Sequence, residues 1–126
     1  MKAKILKIKK VNLKNNFLII FRDLKINLSK GEVYFSIFKN SKEKNIKRNE
    51  KVTQYFFVIK GQILFEIYDS NFKYKKKFIL KENDKNILLL PPKNWYKILP
   101  QKNSILFNQV DLNKKLSKKY DQKFKK

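Results

Sequence analysis

Residues 47–69 read KRNEKVTQYFFVIKGQILFEIYD, and their polar opening places Lys47, Asn49 and Gln54 just ahead of a run of strand-forming residues. A second cluster, Pro91-Pro92-Lys93-Asn94-Trp95-Tyr96, follows further along. These residue types permit a limited chemistry. A lysine acts as a general base near neutrality when burial or a neighbouring cation, here Arg48, pulls its pKa down. A tyrosine donates a proton or a hydrogen bond, and carboxamides such as Asn49 and Gln54 bind hydroxyls and carbonyls without taking protons.

What the chain lacks narrows the chemistry further. It contains no histidine and no cysteine. Ser-His-Asp and Cys-His catalysis are thereby excluded, as are disulfides and the imidazole and thiolate sites that hold most transition metals. The ten acidic residues are scattered too thinly to suggest a carboxylate cage for magnesium or calcium. The absence of cysteine fits a reducing compartment. The amino-terminal MKAKILKIKK alternates lysine with apolar residues where a secretory segment needs a continuous apolar run, and no stretch approaches the roughly 20 apolar residues of a membrane span. The expectation is a cytoplasmic protein.

The net charge of +22 raises nucleic acid as a partner. Of the 32 basic residues, only Arg22 and Arg48 are arginine. Base reading and bidentate phosphate contacts favour the planar guanidinium, so a lysine-rich solvated surface of the kind an AT-rich genome encodes accounts for the charge better than a nucleic-acid interface does.

The elements that must position these residues are strands. At 126 residues the chain predicts one domain, able to bury roughly two thirds of its unfolded surface. Ala3 to Val11 alternates apolar and basic residues, and FLIIF, EVYFSIFK, TQYFFVIK and QILFEIYD follow, the last two on either side of Gly61. That pair predicts a hairpin with Gly61 at the positive φ of its turn. FKYKKKFIL, NILLL, WYKIL and SILFNQV complete eight or nine short strands, with Pro91 and Pro92 stopping one of them. Such spacing predicts an all-β sandwich or barrel. After Asp111, a plausible N-cap, Leu112, Leu116, Tyr120 and Phe124 recur every four residues and predict a short C-terminal helix. Its narrow apolar stripe suits packing on the sheet rather than on a membrane.

The spacing of Lys47, Asn49, Gln54 and Gly61 resembles the first cupin motif, and Pro91 to Tyr96 resembles the second. Within the cupins, the chain from about Glu32 to Phe124 resembles the small enzymes that isomerise dTDP-4-keto-6-deoxyglucose, the sugar 3,4-ketoisomerases. EVYFSIF, KKKFILKENDKNILLLPPKNWYKI and the Tyr120-Asp121 pair carry that resemblance. It implies a cupin jelly roll that forms a homodimer, holds a nucleotide-linked sugar such as a dTDP-sugar in the barrel mouth, needs no metal or organic cofactor and serves carbohydrate assembly.

By the same resemblance, the two catalytic histidines of the first motif fall on Lys47 and Asn49, and the histidine of the second falls on Tyr96. These three are the candidate catalytic positions. Tyr34, Gln54, Asn49 and Tyr96 are expected to line the barrel, either as contacts to substrate hydroxyls and carbonyls or as mutually satisfied interior polars. Lys44, Lys47 and Arg48 are candidates to grip a diphosphate, with solvated loop charge as the alternative. Trp95 serves either as core packing at the rim or as a stacking platform for the base. A sugar-binding cupin without catalysis remains the second reading, and a nucleic-acid barrel the third.

Overall fold

In the computed structural model, residues 2–7, 9–12, 17–20, 32–42, 46–84, 86–110 and 121–123 are described. They form β1 (Lys4–Lys7), β2 (Lys9–Asn12), β3 (Phe17–Ile20), β4 (Glu32–Ile37), β5 (Lys47–Asn49), β6 (Gln54–Lys60), β7 (Gln62–Tyr68), β8 (Lys75–Lys81), β9 (Asn86–Leu90), β10 (Trp95–Pro100), β11 (Ile105–Val110) and β12 (Asp121–Lys123). Ten of these strands make two five-stranded sheets, in the orders β1-β9-β6-β11-β4 and β12-β5-β10-β7-β8, while β2 and β3 pair by themselves. Every pairing is antiparallel.

Period-two patterning sets which residues face inward. From the first sheet, Phe56, Val58, Leu88, Leu90 and Leu106 meet Ile63, Phe65, Phe78, Leu80 and Ile98 of the second in one continuous core. The Phe56 and Phe65 rings lie 5.0 Å apart across the inter-sheet space. Each such side chain contributes roughly 1.5–3 kcal/mol by leaving water, and this core is what holds the two sheets face to face.

The predicted hairpin at Gly61 does not form. β6 pairs with β9 and β11, whereas β7 pairs with β8 and β10 in the opposite sheet. The reason lies in the two apolar faces. Phe56 and Val58 on one strand and Ile63 and Phe65 on the other are all buried, and a corner at Gly61 lets them face each other across the core instead of lying side by side. The glycine does take a positive φ, +82°. Its carbonyl accepts from the Glu82 amide at 2.9 Å, and the neighbouring Gln62 carbonyl accepts from the Gln101 amide at 3.0 Å, so the backbone freed at the corner is paired.

The C-terminal helix also needs correction. Residues 112–120 and Phe124 lie outside the described residues, but Asp121 to Lys123 are a strand, β12, paired with β5. The unpaired backbone groups along the edge of β5 explain why this segment extends rather than coils.

On the outer face of the second sheet, buried Glu66 accepts from the Tyr68 hydroxyl at 3.2 Å and pairs with Lys75. The Lys75 hydrogen bond is the main cause holding the Glu66 carboxyl below its ordinary 4.5, against the opposing effect of burial. A carboxyl whose folded pKa is depressed contributes stability above its unfolded pKa and loses it as the pH falls through the folded value. Lys75→Ala should therefore lower Tm at neutral pH and lose less stability than the native chain on acidification, so that the two curves converge as the pH falls through the folded pKa of Glu66. Superimposable Tm-against-pH curves would exclude this role for the pair.

Candidate functional site

Strands of both sheets build one end of the barrel. β5 pairs with β10 so that Lys47 stands opposite Tyr96, and alternation along β5 turns Lys47 and Asn49 to the interior face and Arg48 outward. The Lys47 ammonium lies 5.7 Å from the centre of the Tyr96 ring. Tyr96 is itself buried and packs on Phe56, ring centres 6.0 Å apart, so the phenol rests on a rigid support.

Asn49 does structural work in this position. Its side-chain oxygen accepts from the amides of Lys51 at 2.9 Å and Val52 at 2.8 Å, closing an Asx-type turn that carries the chain from β5 toward β6. Its backbone carbonyl accepts from the Lys93 amide at 2.8 Å, which ties the first polar run to the Pro91-Pro92 turn. Asn49→Ala leaves two amides without their acceptor in a buried turn, and the expected loss is about 1–3 kcal/mol in a urea titration. Asn49→Asp, which keeps the acceptor, should retain most of the stability. Equal losses in the two variants would exclude the capping role.

The facing wall belongs to the first sheet. Gln54 opens β6 and Asn108 lies on β11, both buried, and the Asn108 amide donates to the Gln54 side-chain oxygen at 3.2 Å. Tyr34 takes the register position on β4 opposite Asn108. Sequence reasoning did not single out Asn108. The signal was present in ILFNQV, where an amide stands at an inward position between Leu106 and Val110.

Arg48 and Trp95 lie on the other face of the second sheet. The Arg48 guanidinium is 4.6 Å from the Trp95 ring centre and pairs with Glu50 at 2.9 Å. Phe72 stacks on the same indole, centres 5.3 Å apart, and the indole N–H donates to the Ser70 carbonyl at 3.4 Å. Phe72 reaches it from a turn with φ of 58°, a conformation rare for a bulky residue. The Asp69 carboxylate supports that turn by accepting from the amides of Lys73 at 2.8 Å and Tyr74 at 3.3 Å. The structure thus brings Lys47, Asn49, Gln54 and Tyr96 to one barrel end and sets Arg48 and Trp95 on the outside of that end. Lys44 lies outside the described residues.

No protein-family model matches the chain, and no curated protein matches it. Solved structures do. A TDP-fucose 3,4-ketoisomerase from Campylobacter jejuni superimposes with a TM-score of 0.79 at 22% identity, over 97% of this chain and 89% of that one. The fold is a cupin jelly roll. A dTDP-sugar isomerase from Desulfovibrio desulfuricans gives 0.78 at 19% identity, covering 98% of this chain and 83% of that one. A histidine-to-asparagine variant of the sugar 3,4-ketoisomerase from Thermoanaerobacterium thermosaccharolyticum, which holds TDP-4-keto-6-deoxyglucose, gives 0.78 at 12% identity over 95% of this chain and 86% of that one. The cupin fold expected from the two motifs is therefore the fold observed. Among the described residues, no helix is long and apolar enough to cross a membrane.

Proposed function

We propose that this chain is a single-domain, cytoplasmic, sugar 3,4-ketoisomerase-like cupin that takes a nucleotide-linked 4-keto-6-deoxy sugar, of the dTDP class, into the barrel mouth in a carbohydrate-assembly pathway. The observation that carries the reading is the convergence of Lys47, Tyr96, Gln54 and Asn108 at one end of a barrel whose fold is shared with enzymes acting on TDP-sugars. Ketoisomerisation needs a proton removed from the carbon beside the ketone while the ketone oxygen gains one, giving an enediol. The former hydroxyl then releases its proton, and the old carbonyl carbon receives one. In this reading Lys47 takes and returns the carbon-bound proton, and Tyr96 supplies and recovers the oxygen-bound one. Gln54 and Asn108 offer a polar wall to the sugar hydroxyls.

A second reading, a nucleotide-sugar binder without catalysis, draws on Asn49: both lone-pair directions of its side-chain oxygen already serve the 51–52 amides. Incubation of the purified chain with dTDP-4-keto-6-deoxyglucose and separation of the products decides between them. A new keto isomer supports the enzyme; a saturable thermal shift without product supports the binder; neither result removes the nucleotide-sugar reading altogether.

A homodimer is part of the proposal. On the outer face of the first sheet Val33, Phe35 and Ile37 stand 44–66% exposed beside partly buried Phe107, and an apolar strip of this kind suits a second copy of the chain. Sedimentation of the full chain should give twice the monomer mass, with Phe35→Lys shifting it to the monomer. A native monomer at micromolar concentration would rule this out.

A further inference from the structure

A cavity lies where Lys2 and Ala3, just ahead of β1, stand beside β7, β8 and the turn that joins them. Its volume is ≈ 200 Å³. Buried Ala3, Ile67 and Phe78 supply an apolar lining, and Lys2, Tyr74 and Lys76 complete it toward solvent. Each ammonium is held over an aromatic ring, Lys2 at 4.8 Å from the Tyr74 centre and Lys76 at 5.0 Å from the Phe78 centre. One carboxylate, Asp69, also borders the cavity, but its oxygen accepts from two backbone amides and serves the turn that carries Phe72. The lining therefore carries two positive charges against one negative charge that is already engaged. The cavity is lined from the chain just ahead of β1, from β7 and β8 with the turn that joins them, and by Asn94 just ahead of β10, whereas Lys47, Gln54 and Asn108 lie on β5, β6 and β11.

We infer that this cavity is a binding site for a small single-ring anion, a planar body bearing one carboxylate or phosphate, with the ring against Ala3, Ile67 and Phe78 and the anionic group between Lys2 and Lys76. The size argues for a small body, since pockets for larger organic ligands run from about 300 to 1,000 Å³. The charge argues for the anion, because an ammonium makes a stronger, charge-assisted hydrogen bond to a carboxylate or phosphate oxygen than to a neutral acceptor. The rings argue for planarity, through the offset and edge contacts that aromatic side chains prefer. The inference does not depend on what the barrel mouth binds.

Benzoate, phenyl phosphate and neutral benzamide, titrated into the isotopically labelled full chain at about 0.15 M salt, test it. Benzoate or phenyl phosphate should saturate and move the backbone amide signals of Tyr74, Lys76 and Asn94, and the stronger of the two names the anionic group. Benzamide should bind about tenfold more weakly. Lys2→Ala/Lys76→Ala should weaken the anion about tenfold, and Ala3→Leu, which fills the cavity without touching charge, should weaken it at least as much. Lys47→Ala, at the barrel mouth, should leave the titration unchanged. Linear, unsaturable shifts spread over the lysine-rich surface would overturn the inference. So would full affinity in the double lysine variant, or loss of binding in Lys47→Ala; should Ala3→Leu not fold, the lysine pair alone decides.

Discussion

Gly61→Ala should cost about 3 kcal/mol of stability, read as a fall in the urea midpoint at unchanged slope. Two penalties combine. A side chain at φ of +82° is strained by about 1–2 kcal/mol on its own. An added Cβ would also stand 2.5 Å from the Ser104 hydroxyl oxygen and 3.1 Å from the Ser104 Cα. Ser104 has no room to retreat: it is fully buried, and its hydroxyl donates to the Gln62 carbonyl at 3.2 Å. Overpacking of this kind costs a further 1–3 kcal/mol or so. Against a total of about 5–15 kcal/mol for an ordinary domain, the loss is large. Ser104→Gly in the same background removes the obstructing Cβ and hydroxyl and should recover the steric part, leaving the backbone part. A Gly61→Ala chain as stable as the native one would mean that β6 and β7 meet at some other corner.

On the proposed ketoisomerase reading, Lys47→Ala should reduce turnover by about 10²–10⁴-fold, the range that a positioned acid or base supplies. Among Lys47, Asn49, Gln54, Asn108 and Tyr96, the amine is the group with a basic lone pair for a carbon-bound proton; the three carboxamides have none, and the phenol is better suited to donate. Lys47→Arg separates the two tasks of the ammonium. A guanidinium keeps the positive charge for a diphosphate but does not deprotonate, so this variant should bind the nucleotide sugar and still fail to turn it over. Both variants should keep the native Tm within a few degrees, because Lys47 is only half-buried and its neighbour Asn49 holds the turn. Turnover retained in Lys47→Ala would move the base elsewhere. Binding retained in the native chain with no turnover in any variant would leave the non-catalytic reading standing.

Much of this molecule is legible in its residue order. The alternation in QILFEIY and ILFNQV predicts strands with one buried face, and the Pro91-Pro92 pair predicts where β9 stops. The spacing of Lys47, Asn49 and Gln54 identifies the barrel end, since β5 and β6 carry them to a common interior. The departures are equally specific. Gly61 has the positive φ expected of it, yet its neighbours lie in opposite sheets, because the choice between a hairpin and a corner depends on β9, β10 and β11. Those strands come from much further along the chain, as with Gln54 opposite Leu90 and Ile63 opposite Pro100. The stripe from Leu112 to Phe124 satisfies a helical period, but Asp121 to Lys123 extend along β5, where tertiary pairing overrides a local preference.

By itself, the sequence determined the strand-rich class, the exclusion of histidine and thiolate chemistry, and the polar set from which any site must be drawn. These follow from composition and from periodicities of a few residues, which are local properties of the chain. Only the tertiary structure decided which of those polar groups are available: Asn49 turned to cap its own turn, Asn108 joined to Gln54 from 54 residues away, and Trp95 covered by Arg48 and Phe72. A side chain's partners across a barrel depend on strand order and register, and those are set by how all the apolar faces are buried together rather than by any one segment.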